Sequence, residues 1–200
     1  RQNWLDHSAA EHRAVRENVG LFDQTSFAKF RLQGPGAEEV LNQVSANDVA
    51  VEPGRIVYTQ WLNERGGIEA DLTVTREAKD RYLIVTGAAS QVRDFHRHIP
   101  EGLDAQLTDV TETLAVLGVM GPKARDLLQG LTDGDLSNGA FPFGASREIE
   151  IGGGKIRASR ISYVGELGWE LYIPTKAATG VFDAVAQAGE AHGLVPAGMH

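Results

Sequence analysis

One segment of this chain is written twice. Arg31–Val44 reads R-L-Q-G-P-G-A-E-E-V-L-N-Q-V and Gly118–Leu131 reads G-V-M-G-P-K-A-R-D-L-L-Q-G-L, with Gly34-Pro35 and Gly121-Pro122 standing 87 positions apart. In the first copy Ala37, Val40, Leu41 and Val44 fall at i, i+3, i+4 and i+7, and in the second Ala124, Leu127, Leu128 and Leu131 do the same. That spacing is one apolar helix face, and each copy is opened by a Gly-Pro turn that ends a preceding strand. Further on, Gly66–Val74 can be laid beside Gly165–Ile173, and helical stretches over Ala88–Ile99 and Lys176–His192 close the two halves. A repeat of about ninety residues is too long for a solenoid and implies duplication of one α/β unit. The expected organisation is a single domain over 1–200, with an approximate internal repeat at 27–99 and 114–192.

The remaining punctuation sets the fold class. His7–Val19 reads as a helix that Gly20 ends. Strands are expected at Phe27–Leu32, Arg55–Leu62, Ile68–Thr75, Arg81–Thr86 and Gln106–Thr113, the second and third joined by a hairpin at Asn63–Gly67. A second hairpin, Arg147–Ile151 with Lys155–Tyr163, turns at Gly152-Gly153-Gly154 after a loop over Ser137–Ser146. The class is therefore α+β, with antiparallel sheets and helices packed on their outer faces.

Composition narrows the chemistry. The 19 lysines and arginines stand against 27 aspartates and glutamates, a net charge of −8, which argues against a nucleic-acid partner. With no cysteine there is no thiolate nucleophile, thiolate metal site or disulfide framework. No run approaches 18 apolar residues, so no membrane span is expected. The chain opens at Arg1 without methionine or a signal-peptide core and closes at His200 soon after Pro196, which reads as a domain cut at both ends. Gly152-Gly153-Gly154-Lys155 is a hairpin turn and not a phosphate loop, because no helix follows it. His96 and His98 lie two apart on a helix and face different sides, so no metal is expected there. Ser26 and Ser162 have no His-Asp partner pattern beside them.

Two acids stand out. Along Ile68–Thr75 the apolar Ile68, Ala70, Leu72 and Val74 share one face, and Glu69, Asp71, Thr73 and Thr75 share the other. Tyr58 and Trp61 are expected to join the polar row from the paired strand. In the second half Trp169, Leu171 and Ile173 take one face, and Glu170 and Tyr172 the other. Laid on the repeat, Asp71 and Glu170 occupy matching places. Halves packed about a pseudo-two-fold axis would turn both acids to a common cavity. There, one carboxylate can accept from an amidine-like edge while the other handles an amine proton. On the residues alone, a polar cavity and a solvated outer face both remain open.

In Glu11-His12-Arg13-Ala14-Val15-Arg16, Gly20-Leu21-Phe22-Asp23, Asn63-Glu64-Arg65-Gly66-Gly67-Ile68 and Tyr163–Leu171, the chain resembles the aminomethyltransferase folate-binding domain. That is the fold of the glycine-cleavage T-protein. The run Gly20–Phe30 is closest to the folate lobes of dimethylglycine and sarcosine dehydrogenases. The resemblance implies tetrahydrofolate as cofactor and a flavin (FAD) oxidase domain elsewhere in the same protein. That domain would oxidise dimethylglycine or sarcosine to an iminium, which this lobe would capture as 5,10-methylenetetrahydrofolate. It implies Asp71 as the catalytic acid, Glu170 as the pterin ligand, and Tyr58, Thr73, Tyr163 and Phe27 as pocket residues. Glu166 would be a turn residue. The expected compartment is the cytoplasm in a bacterium and the mitochondrial matrix in a eukaryote.

Two departures bear on this. Gly87 stands where the T-protein places an asparagine, which points to the dehydrogenase branch and leaves Gly87 at the folate site. The chain also stops before the segment that completes the family's lobe. The nearest alternative is a stand-alone T-protein. From another class comes a regulatory folate-binding protein on the same fold. Its relatives carry Lys-Gly-Cys-Tyr-Thr-Gly-Gln-Glu where this chain has Ile161–Glu166.

Overall fold

Both Gly-Pro turns do the same mechanical job. Gly34 and Gly121 take φ values of 141° and 143°, a region that side chains disfavour. A Cβ on either would overlap a backbone carbonyl oxygen, that of Asp104 or of Asn18. Behind each turn an amide reaches back, Ala37 to Gly34 O and Ala124 to Gly121 O, both at 3.0 Å. Helices α2 (Ala37–Val44) and α3 (Ala124–Gln129) start there.

The computed structural model describes residues 2–87 and 103–198. It divides into two units, one made of Arg1–Thr25 with Leu114–His200, the other of Ser26–Thr113. The first holds helix α1 (Leu5–Glu17), strands β1 (Val19–Asp23) and β7 (Leu114–Met120), the hairpin β8 (Ser146–Ile151) and β9 (Gly154–Ser159), strand β10 (Gly168–Pro174), helix α4 (Ala178–Glu190) and strand β11 (Leu194–Pro196). Its sheet runs β11-β1-β7-β10-β9-β8, antiparallel except where β1 meets β11. The second holds β2 (Ala28–Gln33), β3 (Ile56–Leu62), β4 (Ile68–Ala78), β5 (Arg81–Thr86) and β6 (Gln106–Asp109), ordered β3-β4-β5-β2-β6. The α+β class with antiparallel sheets stands.

Each unit has its own core. In the first, Trp169, Leu171 and Ile173 of β10 pack with Leu127 and Leu128 of α3 and Val181 and Val185 of α4. Phe141 meets the Trp169 ring edge-on at 6.2 Å between centroids. In the second, Leu72, Val74, Ile84, Phe30 and Leu32 pack against Ala37, Val40 and Leu41 of α2. The apolar spacing of the repeat is thus the face each helix buries. Helices α3 and α4 cover one face of the first sheet, while α1 lies against β1 and β11 with Val15 packed on Phe22 and Met120.

Several expectations are corrected. Gly20 does not end α1. It lies inside β1, where a Cβ would stand 2.6 Å from Val15 Cγ2, so glycine there lets the helix approach the strand. Residues 106–113 are a four-residue strand and then a 3-10 turn at Thr111–Thr113. Strand β9 ends at Ser159, leaving Tyr163 in the loop beyond. The later half of the repeat pairing also drifts. By sheet order β4 corresponds to β9 and β10 to β5, so Glu170 and Asp71 do not occupy matching strands. The helix expected at Ala88–Ile99, with His96 and His98, lies outside the described residues.

Candidate functional site

Residues directly opposite in an antiparallel pair share a face. The register therefore lays one row across the first sheet: Phe22, Gly118, Glu170, Ser159, Ser146. This is the face that α3 and α4 leave alone. Glu170 is only 7% exposed, and the Tyr172 hydroxyl donates to its Oε2 at 2.6 Å. Burial pushes the Glu170 carboxyl above the usual carboxylate range, against the opposing pull of that bond. Burial, with the Glu170 charge and the shared bond behind it, pushes the Tyr172 hydroxyl well above its ordinary value. Beside them, Ser159 Oγ and Ser146 Oγ are 3.0 Å apart.

Gly118 makes the low point of the row. A Cβ there would stand 3.0 Å from Gln24 Oε1 and 3.0 Å from Met120 Cε, so Gln24, just past β1, and Met120 of β7 lean over it. Next to it opens a cavity of about 320 Å³. Val15, Phe22, Met120 and Val164 supply its apolar lining, and His12, Arg16, Tyr163 and Gln24 its polar groups. Tyr163 is 84% exposed, so it stands at the rim. Glu166 is paired with Arg16 at 2.8 Å. Gln24 is the residue the sequence reading missed. It is 4% exposed, and its Oε1 is buried with no hydrogen-bond partner.

In the second unit Asp71 is exposed on β4 and held by two donors. Tyr58 OH donates to its Oδ2 at 2.9 Å, and Gln60 Nε2 to its Oδ1 at 3.0 Å. Thr86 Oγ1 donates to the Asp71 carbonyl at 2.8 Å. Thr73 lies opposite Tyr58 on the same face. Tyr58, Asp71 and Thr73 are thus brought together as expected. Trp61 is not among them: it pairs with Ala70 and faces the core, as its odd spacing from Tyr58 on one strand requires. Phe27 is half-buried in the turn before β2, and Gly87 is exposed just past β5. Asp71 and Glu170 stand on different units.

Among the described residues no group of three His, Asp or Glu side chains could hold a metal, and no helix is long and apolar enough to cross a membrane. What the arrangement offers is a buried carboxylate on a sheet face, a cavity between α1 and the same sheet, and an acid pinned by two donors.

Known proteins carry the same domain. The chain matches the GCVT N-terminal domain over residues 1–200. It is 44% identical to the formaldehyde-forming 4-methylaminobutanoate oxidase of Paenarthrobacter nicotinovorans, over 100% of this chain and 24% of that protein. It is 40% identical to the mitochondrial sarcosine dehydrogenase of Mus musculus, over 92% of this chain and 22% of that protein. Among solved structures, the glycine cleavage system aminomethyltransferase T of Bartonella henselae superposes with a TM-score of 0.79 at 26% identity, over 94% of this chain and 50% of that one. The chain thus spans about a quarter of the two curated relatives. On the match over its whole length, the chain belongs to the GCVT N-terminal domain family, an aminomethyltransferase-type domain.

Proposed function

We propose that this domain binds tetrahydrofolate and transfers a one-carbon unit to it within an enzyme that oxidatively demethylates an N-methyl amine. The observation that carries the reading is Glu170. A carboxylate buried on a sheet face suits the amidine-like edge of a pterin. Gly118 lets Gln24, Met120 and Phe22 pack close over the strand beside Glu170. Tyr163 at the cavity rim is available to cover the ring.

Tetrahydrofolate supplies the nucleophilic amines that capture the carbon unit. The protein's part is binding, placement and proton handling. In this reading Glu170 orients the pterin, and Asp71, held by Tyr58 and Gln60, serves the reacting end as the acid that takes or places a proton. Thr73, Phe27 and Gly87 are proposed as further folate-binding residues. The iminium is proposed to come from a flavin domain of the same protein, with FAD as that domain's cofactor and sarcosine or dimethylglycine as the amine. The likeness to dehydrogenase and oxidase relatives favours this over a stand-alone glycine-cleavage enzyme. We also propose that 1–200 is one folate-binding domain made from a duplicated unit. The matched turns at Gly34 and Gly121, and the common strand order of the two sheets, support it.

Calorimetry of 5-formyltetrahydrofolate into the full chain tests the reading. Glu170→Ala is expected to weaken binding, and Asp71→Ala to keep most of it while slowing transfer. Unchanged affinity and turnover in both variants would overturn it.

A further inference from the structure

Gln24 is a buried amide whose oxygen meets no donor within the fold. An apolar side chain of the same length would fill that volume without stranding an acceptor. Folded chains rarely leave such a group unmet unless something from outside meets it. The surroundings say where that partner would come from. Gln24 lines the cavity between α1 and the sheet, and its Oε1 leans over Gly118. Gly118 is also the residue directly across from Glu170. The amide oxygen therefore stands over β7, the strand next to that of Glu170.

We propose that Gln24 is a second ligand-reading residue of the Glu170 face, accepting through Oε1 a ring N–H of the reduced edge of the pterin while Glu170 takes the amidine-like one. The inference rests on the folate reading and adds to it a specificity element. In a tetrahydropterin the reduced ring carries that edge, with N–H groups at positions 5 and 8. A site built to receive such an N–H discriminates against the analogue in which carbon replaces the nitrogen, because the buried acceptor is then left stranded.

The test is a set of titrations on the full chain with tetrahydrofolate, 5-deazatetrahydrofolate and 8-deazatetrahydrofolate, for the parent protein, Gln24→Met and Glu170→Gln. The parent should bind one of the two deaza compounds about tenfold more weakly than tetrahydrofolate. Gln24→Met should lose about tenfold for tetrahydrofolate and be indifferent to that replacement, while melting no lower than the parent. Equal affinity in Gln24→Met, or an equal loss for all three compounds, would overturn the assignment. So would a clearly lower melting temperature in both Gln24→Met and Gln24→Leu, which would make the amide a structural group. Should Glu170→Gln weaken binding while Gln24→Met does not, only this inference falls. Should the parent bind none of the compounds, or Glu170→Gln bind as well as the parent, the folate reading falls with it.

Discussion

Tyr172 and Glu170, two residues apart on β10 and on the same side of the sheet, share a 2.6 Å hydrogen bond in which the phenol donates to the carboxylate. Burial drives the Glu170 carboxyl upward and the phenol's bond holds it back. The pair therefore sets the pH at which Glu170 becomes an acceptor for a donor-rich ligand. Folate affinity should fall as the pH drops through the raised titration of Glu170, since the protonated acid no longer offers a full acceptor set. In Tyr172→Phe the restraining bond is gone and the fall should begin at higher pH. In Glu170→Gln affinity should be weak and flat. A calorimetric pH series on the three proteins checks this.

The same shift makes a statement about stability. Because the carboxyl titrates higher folded than unfolded, folding retains its proton over the window between the two values. Its contribution is fully present below the ordinary carboxylate range and is lost as the pH climbs through the raised value. Glu170→Gln, which has no charge to bury, should melt above the parent at neutral pH, with the gap closing on acidification. A gap that widens in acid would show that the carboxylate is stabilised where it stands.

Gly121 and Gly66 separate two kinds of glycine requirement. Both take positive φ, 143° and 75°, but a Cβ at Gly121 would overlap Asn18 O whereas one at Gly66 would meet nothing within 4 Å. Gly66→Ala should cost about 1 kcal/mol, from backbone strain alone. Gly121→Ala adds a clash with backbone that cannot turn aside, and should cost several-fold more. Denaturant midpoints of the two variants give the comparison.

Asp71 should feel its orienting groups in rate and not in stability. Tyr58 is exposed, so Tyr58→Phe should change unfolding free energy by no more than about 0.5 kcal/mol. Freed from one of its two donors, Asp71 should place a proton less well, and transfer should slow with affinity nearly kept. Single-turnover rates beside thermal melts distinguish this from a folding defect.

What was legible from sequence was local. The Gly-Pro turns and the helix faces behind them follow from spacing within a dozen residues, and strand alternation put Glu170 and Tyr172 on the side opposite Trp169 and Leu171. What failed depended on partners far along the chain. Gly20 reads as a helix stop by composition, but its reason is the approach of Val15. The parallel pairing of Val19 with Leu194 has no local signature. Trp61 stands an odd number of residues from Tyr58 on one strand, so it faces the core and not the polar row. The isolation of the Gln24 oxygen is a property of packed neighbours, and one glutamine after an apolar run carries no mark of it.

The most direct test of the account is a crystal structure of the protein with tetrahydrofolate bound. The account predicts the pterin with its amidine-like edge on the Glu170 carboxylate. Folate seated elsewhere, with Glu170 still bonded to Tyr172 and no ligand atom within hydrogen-bonding distance of it, would contradict the account.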